Sequence, residues 1–189
     1  MTSYYSETEL ADIGLSEFGK DVKISRKTSI YNPQSISIGD NVRIDDFCFL
    51  SGNISLGSHI HIAPFSGLWG TEEIIMRDFT GLAPRVSIFA SSEDYSGGSL
   101  TNPTVPEEYR PGLEYGDVEL NKHVIIGANT VLLPNVRLEQ GVAIGAQSLV
   151  KENISEWEVH IGNPLEKVGE RNKDQIIELE EKFLKEFEY

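Results

Sequence analysis

Few side chains in this sequence can move a proton near neutral pH. The four histidines are His59, His61, His123 and His160. Imidazole titrates nearest physiological pH, so each is a candidate acid, base or ligand. His59-x-His61 is a spacing that zinc sites use, but zinc wants three converging donors and His123 lies more than sixty residues on. A second group, Glu93, Asp94, Tyr95, Thr101 and Asn102, falls in one long polar stretch. Its carboxylates could hold an ammonium or accept a proton, and its other polar groups could hydrogen-bond a ligand. Lys151 and Lys167 flank a turn at Gly162-Asn163-Pro164. Small residues such as Ala128 and Ala146 let a backbone approach a ligand closely.

The element that positions these residues shows in the spacing of aliphatics. Leu120, Ile126, Leu132, Leu138, Ile144 and Val150 recur at six, and Val124, Thr130, Val136, Val142 and Ser148 follow four residues after the first five. A helix cannot keep residues six apart on one face. Hexapeptide periodicity predicts an all-β solenoid, with three hexads to a triangular coil and the aliphatics stacked inside. The same ruler runs through Ile38, Ile44, Leu50, Leu56, Ile62 and Leu68, slips by two at WGTEE, and resumes at Met76, Leu82 and Ile88. The slip predicts a bulge. Cys48 falls four after Ile44, which predicts a buried, inert thiol. His59 and His61 fall three and five after Leu56, so both should face outward. His123 should also face outward, toward a ligand groove or a chain interface.

Residues 89–117 break the pattern, and an insertion of that length in a compact domain predicts an ordered functional loop. Ser6 and Glu9 form a capping box ahead of a short helix stopped by Gly14. The chain therefore reads as one domain: a cap at 1–21, the solenoid at 22–168 and a C-terminal helix at 169–189. Ile176, Leu179, Phe183 and Phe187 give that helix an apolar face for the solenoid or a neighbouring chain.

Composition narrows the function. A net charge of −14 over 189 residues argues against nucleic acid and anionic membrane surfaces as partners. No apolar run reaches membrane-spanning length. A single cysteine permits no intrachain disulfide and fits a reducing cytoplasm.

The segment IGANTVLLPNVRLEQGVAIGAQSLVKE, followed by IGNPLEKV, resembles the hexapeptide-repeat acyltransferases. Within them, the loop ASSEDYSG…LTNPTVPEEY is similar to acetyltransferases of nucleotide-linked 4-amino-4,6-dideoxy sugars, enzymes of surface-polysaccharide synthesis. That resemblance implies a left-handed parallel β-helix, a homotrimer, acetyl-CoA as co-substrate and no metal. It implies pantetheine beside Ala128 and Ala146, with Lys151, Asn163, Pro164 and Lys167 near the nucleotide end of CoA. It sets the acceptor near His61 and the loop, with Asp94 where the family carries a histidine, and with Glu93, Tyr95, Thr101 and Asn102 as sugar contacts. The missing loop histidine favours an amine acceptor, because a neutral amine attacks without the strong base that a hydroxyl needs. A sugar or small-molecule O-acetyltransferase is the alternative; a zinc enzyme like the β-helical carbonic anhydrases and a non-catalytic solenoid are the remaining ones.

Overall fold

The computed structural model describes residues 3–187. The chain winds into a parallel β-solenoid whose three faces are built from short strands stacked coil on coil. The second face carries the site. Its strands Lys23–Ile24, Arg43–Ile44, His61–Ile62, Gly81–Leu82, Ile125–Ile126 and Ala143–Ile144 pair in parallel, in that order. The aliphatic of each pair points inward, and Ile24, Ile44, Ile62, Leu82, Ile126 and Ile144 are all buried. Inward polar groups are small: Thr130 and Ser148 each donate to the carbonyl of Gly145, at 3.1 and 2.7 Å, while the buried Thr80 hydroxyl has no partner among the described residues. Cys48 is buried as expected, and burial pushes its thiol up to about 11.

Corners turn through the left-handed region. Three residues after the inward aliphatic stand His59, Phe65, Phe79, Arg85, His123, Asn129 and Gln147, all with φ between 58° and 65°. Non-glycine residues resist that region by about 1–2 kcal/mol each, so stacking must offset it. On one corner the rings of His59, Phe79 and His123 do stack, with centroids 4.7 and 5.2 Å apart. On the next, Phe47 lies 5.1 Å from Phe65, with Lys27 and Arg85 over the two rings.

One helix caps the first coil and another covers a corner. Helix α1, Glu7–Ile13, has the capping box of Ser6 and Glu9 and stops at Gly14, which is left-handed. Helix α2, Lys173–Phe187, packs on the histidine corner. Phe183 meets His59 and Phe79 edge-on, and Glu180 pairs with Lys122 and, at 2.8 Å, with His123. His123 is therefore buried beneath α2, which corrects the expectation that it lines a groove or an interface between chains. Phe187 and Leu179 stay exposed on the helix, and residues 188–189 of the expected helix lie outside the described residues.

The slip at WGTEE is a bulge: Gly52 pairs with Gly70 but Ile54 with Ile74, so the longer strand carries two extra residues. The loop is spliced in at a corner. Ser91–Ser92 pairs antiparallel with Glu114–Tyr115 and closes its base. The solenoid ladder continues on both sides of it, Ile88 on Leu132 and Ile74 on Val118.

Candidate active site

The outside of the second face carries two columns of side chains. The residues before the inward aliphatics read Lys23, Arg43, His61, Gly81, Ile125 and Ala143; those after them read Ser25, Asp45, Ala63, Ala83, Gly127 and Gly145. From the His61 coil onward the second column holds only alanine and glycine, and the first holds Gly81 and Ala143 on either side of an exposed Ile125. The result is a groove of about 420 Å³ walled by Ala63, Gly81, Ala83, Pro84, Ile125 and Gly127, with His61 at one end. Such a surface accepts a narrow, flexible, mostly apolar chain against the backbone. At Gly81 an added Cβ would meet nothing within 4 Å. At Gly127 it would collide with the backbone nitrogen of Ala146 and lie 2.7 Å from the carbonyl carbon of Gly145. The first glycine opens the groove; the second lets two coils close on each other.

His61 does not stand alone. Its Nε2 lies 2.7 Å from Oδ2 of Asp45, while Nε of Arg43 donates to Asp45 Oδ1 at 2.7 Å and the Tyr4 hydroxyl donates to the same oxygen at 3.1 Å. Burial pushes the Asp45 carboxyl up, but the bonds from His61, Arg43 and Tyr4 together outweigh it and hold the group below its usual value. The Asp45 carboxylate fixes the ring of His61 and leaves Nδ1 as the other ring nitrogen. Asp45 is sixteen residues from His61 in sequence, one rung below on the coil.

Asp94 sits in the loop. One oxygen accepts from the backbone N–H of Ser96 at 2.7 Å and the other from the Ser99 hydroxyl at 3.1 Å. The bonds from Ser96, side chain and backbone, lead in holding its carboxyl down at about 2. It is a fixed, ionised acceptor, poorly matched to take a proton near neutrality but well suited to orient an ammonium. Glu93 instead holds the loop together: Oε1 accepts from the backbone N–H of Asn102 at 3.2 Å and lies 3.6 Å from Arg110. Asn102 makes a left-handed turn, Thr101 is half-buried beside it, and Tyr95 stands 92% exposed at the tip. Among the described residues no hydrogen bond or ion pair joins Asp94 to His61.

The residues expected around CoA are dispersed. Ala128 and Ala146 occupy the corner beyond the groove; its walls are their neighbours Gly127, Ala83 and Ala63. These lay within reach of sequence reasoning, since each directly follows an inward aliphatic. Asn163 and Pro164 form the exposed turn between the antiparallel strands Glu158–Ile161 and Glu166–Glu170. Lys167 is held between Glu158 and Glu170, 2.9 Å from each, whereas Lys151 is exposed. Among the described residues no three His, Cys, Asp or Glu side chains converge on a possible metal site. No helix among them is long and apolar enough to cross a membrane.

No protein-family model matches the chain. Known proteins do. The chain is 44% identical over 184 residues to the dTDP-4-amino-4,6-dideoxy-D-glucose acyltransferase of Escherichia coli, spanning 96% of this chain and 95% of that one. It superimposes with a TM-score of 0.96 on a variant of AntD, an N-acyltransferase from Bacillus cereus, in complex with dTDP-4-amino-4,6-dideoxyglucose and coenzyme A, at 49% identity over 98% of this chain and 100% of that one. The complex of AntD with dTDP and 3-hydroxybutyryl-CoA matches with the same TM-score, at 48% identity over the whole of both chains. With that likeness carried along nearly its full length, and with a solenoid whose coils expose a narrow groove, the chain is an acyltransferase and belongs to the hexapeptide-repeat, left-handed β-helix family, in its sugar acyltransferase branch.

Proposed function

We propose that the protein transfers an acyl group from a CoA thioester to the 4-amino group of a dTDP-linked 4-amino-4,6-dideoxy sugar, a reaction of surface-polysaccharide synthesis in the cytoplasm. The observation that carries this reading is the groove past His61, where glycine and alanine leave room for pantetheine along the coils. The likeness to enzymes named for this acceptor supports the nucleotide sugar.

The amine attacks the thioester carbonyl carbon as a neutral nucleophile, and the CoA sulfur leaves. Nitrogen becomes strongly acidic once the new C–N bond forms, so its proton can be shed to water without a matched base. Asp94, ionised throughout, accepts a hydrogen bond from the amino group and aims it. His61, braced by Asp45, holds the acceptor end of the groove. Because Asp94 and His61 lie apart within one chain, a second copy supplies the loop, and three copies close a ring with a site at each junction.

Mass spectrometry of dTDP-4-amino-4,6-dideoxyglucose incubated with acetyl-CoA or 3-hydroxybutyryl-CoA tests the reaction and names the acyl group. Absence of any N-acylated product with either donor rejects it. Light scattering tests the ring, and a monomer at micromolar concentration rejects it.

One observation favours a second reading. The His61–Asp45 pair is the kind of base that a hydroxyl acceptor requires. Under that reading the 4-hydroxy analogue of the nucleotide sugar is acylated at least as fast as the amine.

A further inference from the structure

The outer column on the second face changes character along the solenoid. Lys23, Arg43 and His61 occupy three successive rungs; Gly81, Ile125 and Ala143 occupy the next three. In a chain of net charge −14, two lysine or arginine side chains and a histidine in register on one exposed face are a local exception. All three are exposed. The Arg43 guanidinium is held in place, with Nε on Asp45 at 2.7 Å and its centre 5.8 Å over the Tyr4 ring. Lys23 makes no ion pair with any described residue. Even with Asp45 counted against them, Lys23 and Arg43 leave the column net positive.

We propose that Lys23 and Arg43 form a rail for the diphosphate of the acceptor nucleotide. Adjacent rungs are about 4.8 Å apart, so neighbouring cations can meet neighbouring phosphates of one ligand. A guanidinium anchored through Nε presents its remaining N–H groups in a fixed fork, which suits phosphate oxygens. The order along the face then sets the order of the ligands: the nucleotide lies on the N-terminal coils, pantetheine on the C-terminal ones, and the two reacting ends meet at the rung of Gly81. The rail also selects. A nucleoside diphosphate engages it, while a free sugar or an uncharged small molecule does not. This inference rests on the acceptor reading above. The diphosphate of CoA offers the same chemistry, so both ligands belong in the test.

The experiment is calorimetric titration of the full chain with dTDP, dTMP and CoA, on the wild type and on Lys23→Gln, Lys23→Glu and Arg43→Lys. Lys23→Gln should weaken dTDP on the order of ten-fold, the scale of one charge-assisted contact, and Lys23→Glu more. Arg43→Lys keeps the charge but loses the fork, and should also weaken dTDP. The preference for dTDP over dTMP should shrink in each, and CoA affinity should hold. Lys23 is exposed, so these variants should retain the wild-type circular dichroism. Wild-type dTDP affinity in all three variants overturns the rail and leaves the acceptor reading standing. Weakened CoA with unchanged dTDP overturns the order of ligands. No dTDP binding by the wild type, together with no acyl transfer to a dTDP-linked amino sugar, overturns the acceptor reading and the rail with it.

Discussion

Gly81→Leu should silence the enzyme without unfolding it. The strand Gly81–Leu82 sits between the rungs of His61 and Ile125, and a Cβ there meets nothing within 4 Å. Gly81 is not among the glycines with positive φ, so leucine can adopt its backbone. Removing a glycine trims the entropy of the unfolded chain, a gain of about 0.4–1 kcal/mol that the newly exposed leucine partly offsets. For a chain of this size that corresponds to a Tm that holds or rises by roughly 1–4 °C. The new side chain would stand in a groove of only about 420 Å³. Displacing a bound thioester by about 1 Å costs on the order of 100-fold in rate. We therefore expect kcat/KM to fall at least about 100-fold, near 2.7 kcal/mol of transition-state stabilisation, and CoA affinity to fall with it. Thiol release gives the rate, calorimetry the affinity and light scattering the assembly. A folded variant with wild-type kcat/KM and CoA affinity would refute the groove assignment. So would loss of assembly with CoA binding intact, because the groove would then serve the junction between copies without holding CoA.

Other positions test neighbouring claims. Gly127→Ala should destabilise the solenoid by about 1–3 kcal/mol, an overpacking cost that lowers Tm by several degrees in thermal melts, because its Cβ would strike the next coil. A Tm at the wild-type value would contradict the close approach of those coils. Asp94→Asn should raise KM for the amino sugar about ten-fold with a modest fall in kcat, since a carboxyl held near 2 orients and does not titrate between pH 5 and 9. A kcat lower by about 10²–10⁴ at constant KM would make Asp94 the base instead. Cys48 should resist thiol reagents at pH 8 until the protein is denatured. Its folded value is raised to about 11 from 9.0, so its stabilisation is complete below pH 9 and is lost as pH rises toward 11. Labelling of the native thiol at pH 8 would show that the interior is open.

How much of this was legible in the sequence depends on distance along the chain. Inward residues follow from spacing alone: Ile44, Ile62 and Cys48 are where the ruler puts them, because each coil repeats the same backbone path. The helix α1 cap is equally local, needing only Ser6, Glu9 and Gly14. Contacts between coils were not visible so directly. Asp45 meets His61 only because one coil of winding separates them, and nothing near His61 in sequence announces a carboxylate. His123 looks outward by phase and is outward from the solenoid, yet α2 returns from the end of the chain to cover it through Glu180. The groove escaped for a different reason. Ala128 and Ala146 drew notice as small residues, but the groove is lined by Ala63, Ala83 and Gly127, each directly after an inward aliphatic, and that column shows only when the coils are stacked.

The stem of the loop has a consequence for how such an enzyme could change its substrate. Ser91–Ser92 and Glu114–Tyr115 form a two-stranded ladder of their own, tied to the solenoid through Thr71 and Asn135, while the coils on either side continue their own ladder across the splice. Everything between the two stem strands is thus a cassette, anchored by local bonds such as Glu93 to Asn102 and Asp94 to Ser96. Lineages could swap, lengthen or trim it without disturbing the groove past His61. With the loop at the acceptor end, as proposed, drift in acceptor preference would collect between residues 93 and 113, while the coils stay under the constraint of stacking. The same joint offers engineers a place to graft.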